Sequence, residues 1–201
     1  MRSLILFCTL LIICGCQPIL KTLYGIKQPK PVSTAYLIDF AERYGIGEDH
    51  LYFMTFERAE RTYRSGEFSL QTARVFDHEG YHLPVDFAAD SVSCESHAIL
   101  SLLQNVQNLK DYPRSDSLLL SDYLVGLVDV QEQPVTMADL GAADYYVVGD
   151  WASFLGKTNK ARFAEEEAYL KNSGLDIVYL KVNYDLREEW GAAQLKRLGF
   201  D

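Results

Sequence analysis

Gly149-Asp150-Trp151-Ala152-Ser153-Phe154-Leu155-Gly156-Lys157-Thr158-Asn159-Lys160 stands between an apolar run, Tyr145 to Val148, and a segment with helical periodicity. In an α/β protein such a junction is where ligands meet strand ends and helix N-termini. Gly156-Lys157-Thr158 has the ending of a phosphate loop, a motif that needs a first glycine five positions before the second. That position is Trp151, and Gly149 lies two residues too early. Trp151 and Phe154 would also crowd a loop whose backbone N–H groups must wrap phosphates. The spacing therefore argues against nucleotide binding.

Outward from the junction, the pattern predicts a strand over 144–150, a helix from about Thr158 to Asn172 ending at Gly174, and a strand over 177–183. A final helix is expected from about Leu186 to Leu198. Two strands joined by a helix of this length form a right-handed βαβ unit with the strands parallel. The acids Glu165-Glu166-Glu167 read as the solvated face of the intervening helix, near the end its dipole favours for negative charge. Asp139, Asp144 and Asp150 flank the first strand. Asp150 stands at its C-terminal end, either as a base or in a cap or turn.

A strand followed by Trp151-Ala152-Ser153-Phe154 and then a helix resembles the thioredoxin and thiol-disulfide oxidoreductase family, whose junction reads Trp-Ala-x-Trp-Cys-x-x-Cys. On that resemblance Leu155 and Thr158 occupy the two cysteine positions. Dithiol exchange needs a thiolate of lowered pKa and a resolving thiol, and neither side chain supplies one. The resemblance thus implies the fold without the activity, and Trp151, Leu155 and Thr158 mark a degenerate motif.

Upstream, Ala73–Asp77 and Tyr81–Val85 flank His78-Glu79-Gly80 and read as a β-hairpin, with Gly80 where positive φ is favoured. Pro84, which cannot donate to a ladder, belongs at an edge or strand end. This hairpin resembles the family's segment in which a strand ends in Phe-Asp-x-x-Gly, here Phe76-Asp77-His78-Glu79-Gly80, just after a proline that faces the cysteines. Gln71 or Thr72 stands in the proline's place. The hairpin also precedes the βαβ unit, the reverse of the family order. The expectation is an α/β fold, a circularly permuted or rearranged thioredoxin-like mixed sheet flanked by helices, with a C-terminal parallel βαβ unit.

The N-terminus carries a different signal. One Arg, an apolar run from Leu4 to Ile13 and Ile13-Cys14-Gly15-Cys16 resemble a bacterial lipoprotein signal peptide with its lipobox, in which Cys16 is diacylated and becomes the mature N-terminus. The run is too short for a spanning helix, which takes about 18 or more apolar residues. Two acyl chains satisfy the two-signal requirement for stable anchoring. Gln17 is not the aspartate that retains lipoproteins in the inner membrane of enteric bacteria, so the expected location is the cell envelope, on the outer membrane. The division expected is 1–15 signal peptide, 16–32 membrane tether and 33–201 a single domain. The chain is also similar to a group of uncharacterised lipoproteins from Bacteroidetes-type bacteria, through its Tyr24-Gly25-Ile26-Lys27-Gln28-Pro29-Lys30 tether and a cysteine that opens the helix after the hairpin.

The 201 residues carry a formal net charge of −9, and loss of Arg2 with residues 1–15 makes it −10. Such a chain repels nucleic acid and anionic lipid headgroups. Cys8 and Cys14 leave with the signal and Cys16 carries lipid, so Cys94 is the one remaining thiol and no intramolecular disulfide can form. Cys94 opens an expected helix to Leu109 with His97 one turn on, a setting that lowers a thiol's pKa. The simpler reading is a small half-buried hydrophobe, with Glu95 opposing thiolate formation.

Elsewhere a helix is expected from Ser33 or Thr34 to Tyr44, a strand at Leu51–Phe56, a charged helix through Glu57-Arg58-Ala59-Glu60-Arg61-Thr62-Tyr63-Arg64, and a strand at Tyr123–Val130. His50, His78, His82 and His97 have no metal-site spacing, and no cofactor is implied. The leading functional expectation is a non-catalytic lipoprotein that binds a protein or peptide partner where the lost active site would lie. A single-cysteine thiol enzyme using Cys94, and a small-molecule or glycan-binding accessory lipoprotein, are the alternatives.

Overall fold

A computed structural model describes residues 25–65, 74–84 and 113–200. Helix α1 (Thr34–Arg43) begins where the Ser33 side chain accepts from the Tyr36 N–H, and it stops before Gly45 at φ +68°. Strand β1 (Leu51–Met54) leads into α2 (Phe56–Ser65), then the hairpin β2 (Arg74–Asp77) and β3 (Tyr81–His82) follows. Within the hairpin, Asp77 Oδ1 accepts from the N–H groups of Glu79 and Tyr81 at 2.9 Å each, and Gly80 takes φ +85°. That side chain closes the turn by standing in for a backbone acceptor.

After β4 (Ser115–Leu119) come α3 (Leu120–Leu124), β5 (Leu127–Val128) and α4 (Met137–Leu140). The C-terminal part is β6 (Tyr145–Trp151), a 3-10 turn at Ser153–Leu155, α5 (Lys157–Asn172), β7 (Ile177–Asn183), a second 3-10 turn at Glu188–Trp190, and α6 (Ala192–Arg197). The sheet is mixed, in the order β4-β3-β2-β6-β7-β1-β5. β6, β7 and β1 are parallel, while β2 and β5 pair antiparallel on either side of them. The βαβ expectation holds: β6 and β7 run in register from Tyr145 opposite Ile177 to Trp151 opposite Asn183.

Every residue of β6 is buried, so its alternation sorts two cores rather than core from solvent. Tyr145, Val147 and Trp151 face a core with Leu37, Phe40 and Ala41 of α1 and Phe163 and Leu170 of α5. Tyr146, Val148 and Ala152 face the other, with Ala59 of α2, Leu120 and Leu124 of α3 and Leu140 of α4. Helices therefore cover both faces.

Three expectations change. Tyr123–Val130 is not one strand: Tyr123 and Leu124 close α3, and Gly126 at φ +78° turns the chain into the two-residue β5. The helix expected from Leu186 is interrupted at Gly191, φ +79°, because Leu186 and Arg187 are pulled into the interior first. Glu166 is 1 % exposed rather than solvated. It accepts a short hydrogen bond from the Tyr179 hydroxyl and pairs with Arg162 at 3.4 Å, and these partners offset the cost of burying a charge. Glu165 alone of the three acids is fully outward.

The end of the expected tether is drawn onto the domain. Val32 is buried and bridges Arg187, donating its N–H to Leu186 O at 2.9 Å, while the Lys27 N–H donates to Phe154 O at 2.7 Å. Among the described residues no helix is long and apolar enough to cross a membrane. Cys16, Cys94, His97, the helix expected over 94–109, and Gln71 and Thr72 lie outside the described residues.

Candidate functional site

The junction is closed by its own polar groups. Trp151 is fully buried and stacks on Phe40 with centroids 6.0 Å apart, so this motif residue is core. After it the chain turns through Ser153–Leu155, and the two N–H groups that open this turn find one acceptor, Asp185, just beyond β7. The Asp185 carboxylate accepts from Ser153 N at 2.6 Å, Ser153 Oγ at 2.7 Å, Asn183 Nδ2 at 2.8 Å and the Phe154 backbone. It is 2 % exposed, and burial raises its carboxyl above the ordinary value of 3.8 against the pull of these donors. The anion that a helix N-terminus would otherwise collect is thus supplied from within the chain.

Gly156, at φ +58°, separates the 3-10 turn from α5. Asn159 reaches back to donate to Ala152 O at 2.8 Å and Gly156 O at 3.2 Å, and Thr158 Oγ1 donates to Leu155 O at 2.7 Å. Leu155 and Thr158, at the cysteine positions of the resemblance, are therefore brought together by a bond between one's hydroxyl and the other's carbonyl. Across the turn a groove of about 370 Å³ is lined by Lys27, Lys30, Ser33 and Tyr36 on one side and Ser153 and Phe154 on the other.

Beneath the junction, on the opposite sheet face, lies a polar cluster. Asp150 is 2 % exposed and pairs with Arg74 of β2 at 2.8 Å, while Tyr123 of α3 donates its hydroxyl to Asp150 Oδ1 at 3.1 Å. The Tyr184 hydroxyl stands 3.5 Å from that of Tyr123. Arg162 of α5 donates a short hydrogen bond to the Asp150 carbonyl. Burial raises the Asp150 carboxyl, and Arg74, Tyr123 and Arg162 pull it back. Burial likewise raises the Tyr123 and Tyr184 phenols, with the Asp150 charge adding to it. Asp150 is thus a buried ion-pair member rather than a cap or turn residue. At 1 % side-chain exposure it offers no approach to a substrate.

Arg58 of α2 completes the cluster. It donates to the carbonyls of Tyr123 and Val125, the latter at 3.0 Å, and its guanidinium lies 4.5 Å from the Tyr123 ring centroid. Arg74 lies over the same ring at 5.3 Å. Above these groups opens a cleft of about 780 Å³, walled by α2, β2 and α3 and floored by Tyr123 and Tyr184. Elsewhere, His82 packs against Phe76 with ring centroids 5.5 Å apart, and His78 is exposed in the hairpin turn.

Arg58, Arg74, Tyr123, Tyr184 and Asp185 are absent from the expected site residues. Apart from Asp185 with its neighbour Asn183, two positions away, the pairs they form span 27 to 76 positions of sequence, so local spacing does not announce the cluster. The one visible trace is the three-residue repeat of Arg58, Arg61 and Arg64. No protein-family model matches the chain, and no curated protein or solved structure matches it significantly.

Proposed function

We propose that this chain is a lipid-anchored lipoprotein of the bacterial cell envelope whose thioredoxin-like domain binds a protein or peptide partner and carries out no dithiol exchange. The observation that carries the reading is the junction itself. Leu155 and Thr158 stand at the two cysteine positions, and buried Asp185 together with Asn159 holds the turn by hydrogen bonds that a redox centre would need to leave open.

The thioredoxin-like assignment draws support from the sheet. A parallel β6-α5-β7 unit is flanked on the β6 side by the antiparallel hairpin β2–β3, which suits a thioredoxin-like core whose hairpin has moved ahead of the βαβ unit in chain order. The anchor rests on the lipobox resemblance at Cys16, and the outer membrane on Gln17. Residues 27–33 lie against the junction and take up part of the surface the lost active site would present. The reading therefore moves the partner to another face.

The test is trapping of mixed disulfides on the mature, lipidated chain in the envelope. The reading expects none through Cys94. A stable population of Cys94-linked conjugates, lost in Cys94→Ser, would overturn it.

A further inference from the structure

We infer that the cleft between α2, β2 and α3 is the partner site, and that it takes an acidic peptide segment in extended form. The inference rests on the binding reading above and adds to it the place and the chemistry of the ligand.

Charge is the first argument. The chain as a whole carries −9, yet this cleft collects Arg58, Arg61, Arg64 and Arg74. Among the described residues the acids that line it are Glu60 and Asp122. Glu60 is already held by Arg64 at 2.9 Å and by Arg197 at 2.6 and 2.8 Å, and Asp150 below is held by Arg74. After these pairs are formed, Asp122 on the rim is the one acid among the described lining residues left to Arg58 and Arg61. Arg58 is 9 % exposed and forms no ion pair among the described residues. A buried guanidinium without a carboxylate is costly, and an anion in the cleft would supply one.

Spacing is the second argument. Arg58, Arg61 and Arg64 recur every three residues, so they step around α2 from the buried Arg58 to the exposed Arg61 and Arg64, with Arg61 next to each of the other two. From the first to the third spans about 9 Å of helix axis, at about 1.5 Å per residue. Alternate side chains of an extended peptide are about 7 Å apart, close enough for acids at those positions to meet the two exposed arginines, Arg61 and Arg64, through their flexible side chains. A single phosphate would want these donors converging on one point. Arg58 instead spends its donors on the Tyr123 and Val125 carbonyls and offers its charge.

The remaining lining suits a peptide as well. Tyr123 and Tyr184 form an aromatic floor, and Leu118 and Val125, the latter 59 % exposed, give apolar contact at the rim. The volume of about 780 Å³ falls within the range of small-ligand pockets, about 300–1,000 Å³. It accommodates a few residues of a peptide whose ends run out over the surface.

The test uses the mature chain on an array of random heptapeptides, beside the variant Arg61→Glu/Arg64→Glu and a control, Arg43→Glu, on α1. Arg61, Arg64 and Arg43 are exposed, and binding is compared between proteins whose circular dichroism matches wild type. The expected result is bound peptides enriched in Asp and Glu, with at least tenfold weaker binding to the double variant and none of that loss in the control. Peptides bound without acid enrichment, or bound equally by the double variant, overturn the cleft and leave the binding-module reading standing. No peptide bound removes both. Binding of pyrophosphate with no acidic peptide bound overturns the peptide assignment in favour of a phosphate ligand.

Discussion

Replacing Asp185 with alanine removes the acceptor on which the junction closes. Four donors are left behind: the N–H groups of Ser153 and Phe154, the Ser153 hydroxyl and the Asn183 amide. Ser153 is half-buried and its hydroxyl can rotate toward water, while Asn183 is 1 % exposed and its amide cannot follow. Each buried donor stranded this way costs about 1–3 kcal/mol. Relief from burying the Asp185 charge, whose carboxyl burial already raises, offsets part of the sum. The net loss expected is about 3 kcal/mol, which for a domain of this size lowers Tm by about 6–12 °C. Asp185→Asn keeps one oxygen facing the Ser153 N–H and should lose about half as much. Urea unfolding followed by circular dichroism reads both values. A loss below about 1 kcal/mol for Asp185→Ala would show that the turn is held by something other than this carboxylate, and the account of a locked junction would fail with it.

Two further perturbations address the sheet and the histidines. A Cβ at Gly149 would lie 2.2 Å from the Tyr179 hydroxyl and 2.7 Å from its ring, so Gly149→Ala must displace Tyr179 and break its bond to buried Glu166. The expected loss is about 3 kcal/mol in urea unfolding, and a neutral result would mean the ring does not cross the strand there. Burial holds His50 and His82 below their ordinary value of 6.5, with Arg74 adding to it at His82. The unfolded chain therefore takes up these protons first, so the stability they contribute is full above pH 6.5 and is lost as pH falls through the native values. Unfolding midpoints of His50→Gln/His82→Gln should decline less than wild type between pH 7.5 and 5, and parallel declines would refute the linkage.

What the sequence disclosed and what it withheld divide by range. The β6-α5-β7 unit was legible because Tyr145–Val148 and Ile177–Asn183 are apolar runs that bracket a helix-length segment, and a parallel pair with one crossover has one favoured geometry. The hairpin was legible through Asp77 and Gly80, whose turn chemistry is local. Tyr123–Val130 misled because its apolar content serves two short elements, and only Gly126 marks the break. Glu166 misled because three successive acids read as solvent-facing until the Tyr179 hydroxyl, from the neighbouring strand, is placed beside the middle one. The candidate site fared worst. Trp151, Leu155 and Thr158 were found at the junction, but Asp185, which closes it, and Arg74, which fixes Asp150, reach it from 32 and 76 positions away. Contacts at that range follow from sheet order, and periodicity carries no information on it.

The central claim is that a thioredoxin-like junction here serves as structure while the chain acts by binding. It is tested most directly by the alkylation rate of Cys94, the one cysteine beyond residue 16, followed at that residue from pH 5 to 10 on the native protein. The account predicts a rate at neutral pH no faster than that of a free cysteine, rising with a midpoint at or above the ordinary thiol value of about 8.5. A midpoint well below 7, with fast modification at neutral pH, would give the chain an activated nucleophile and contradict the account.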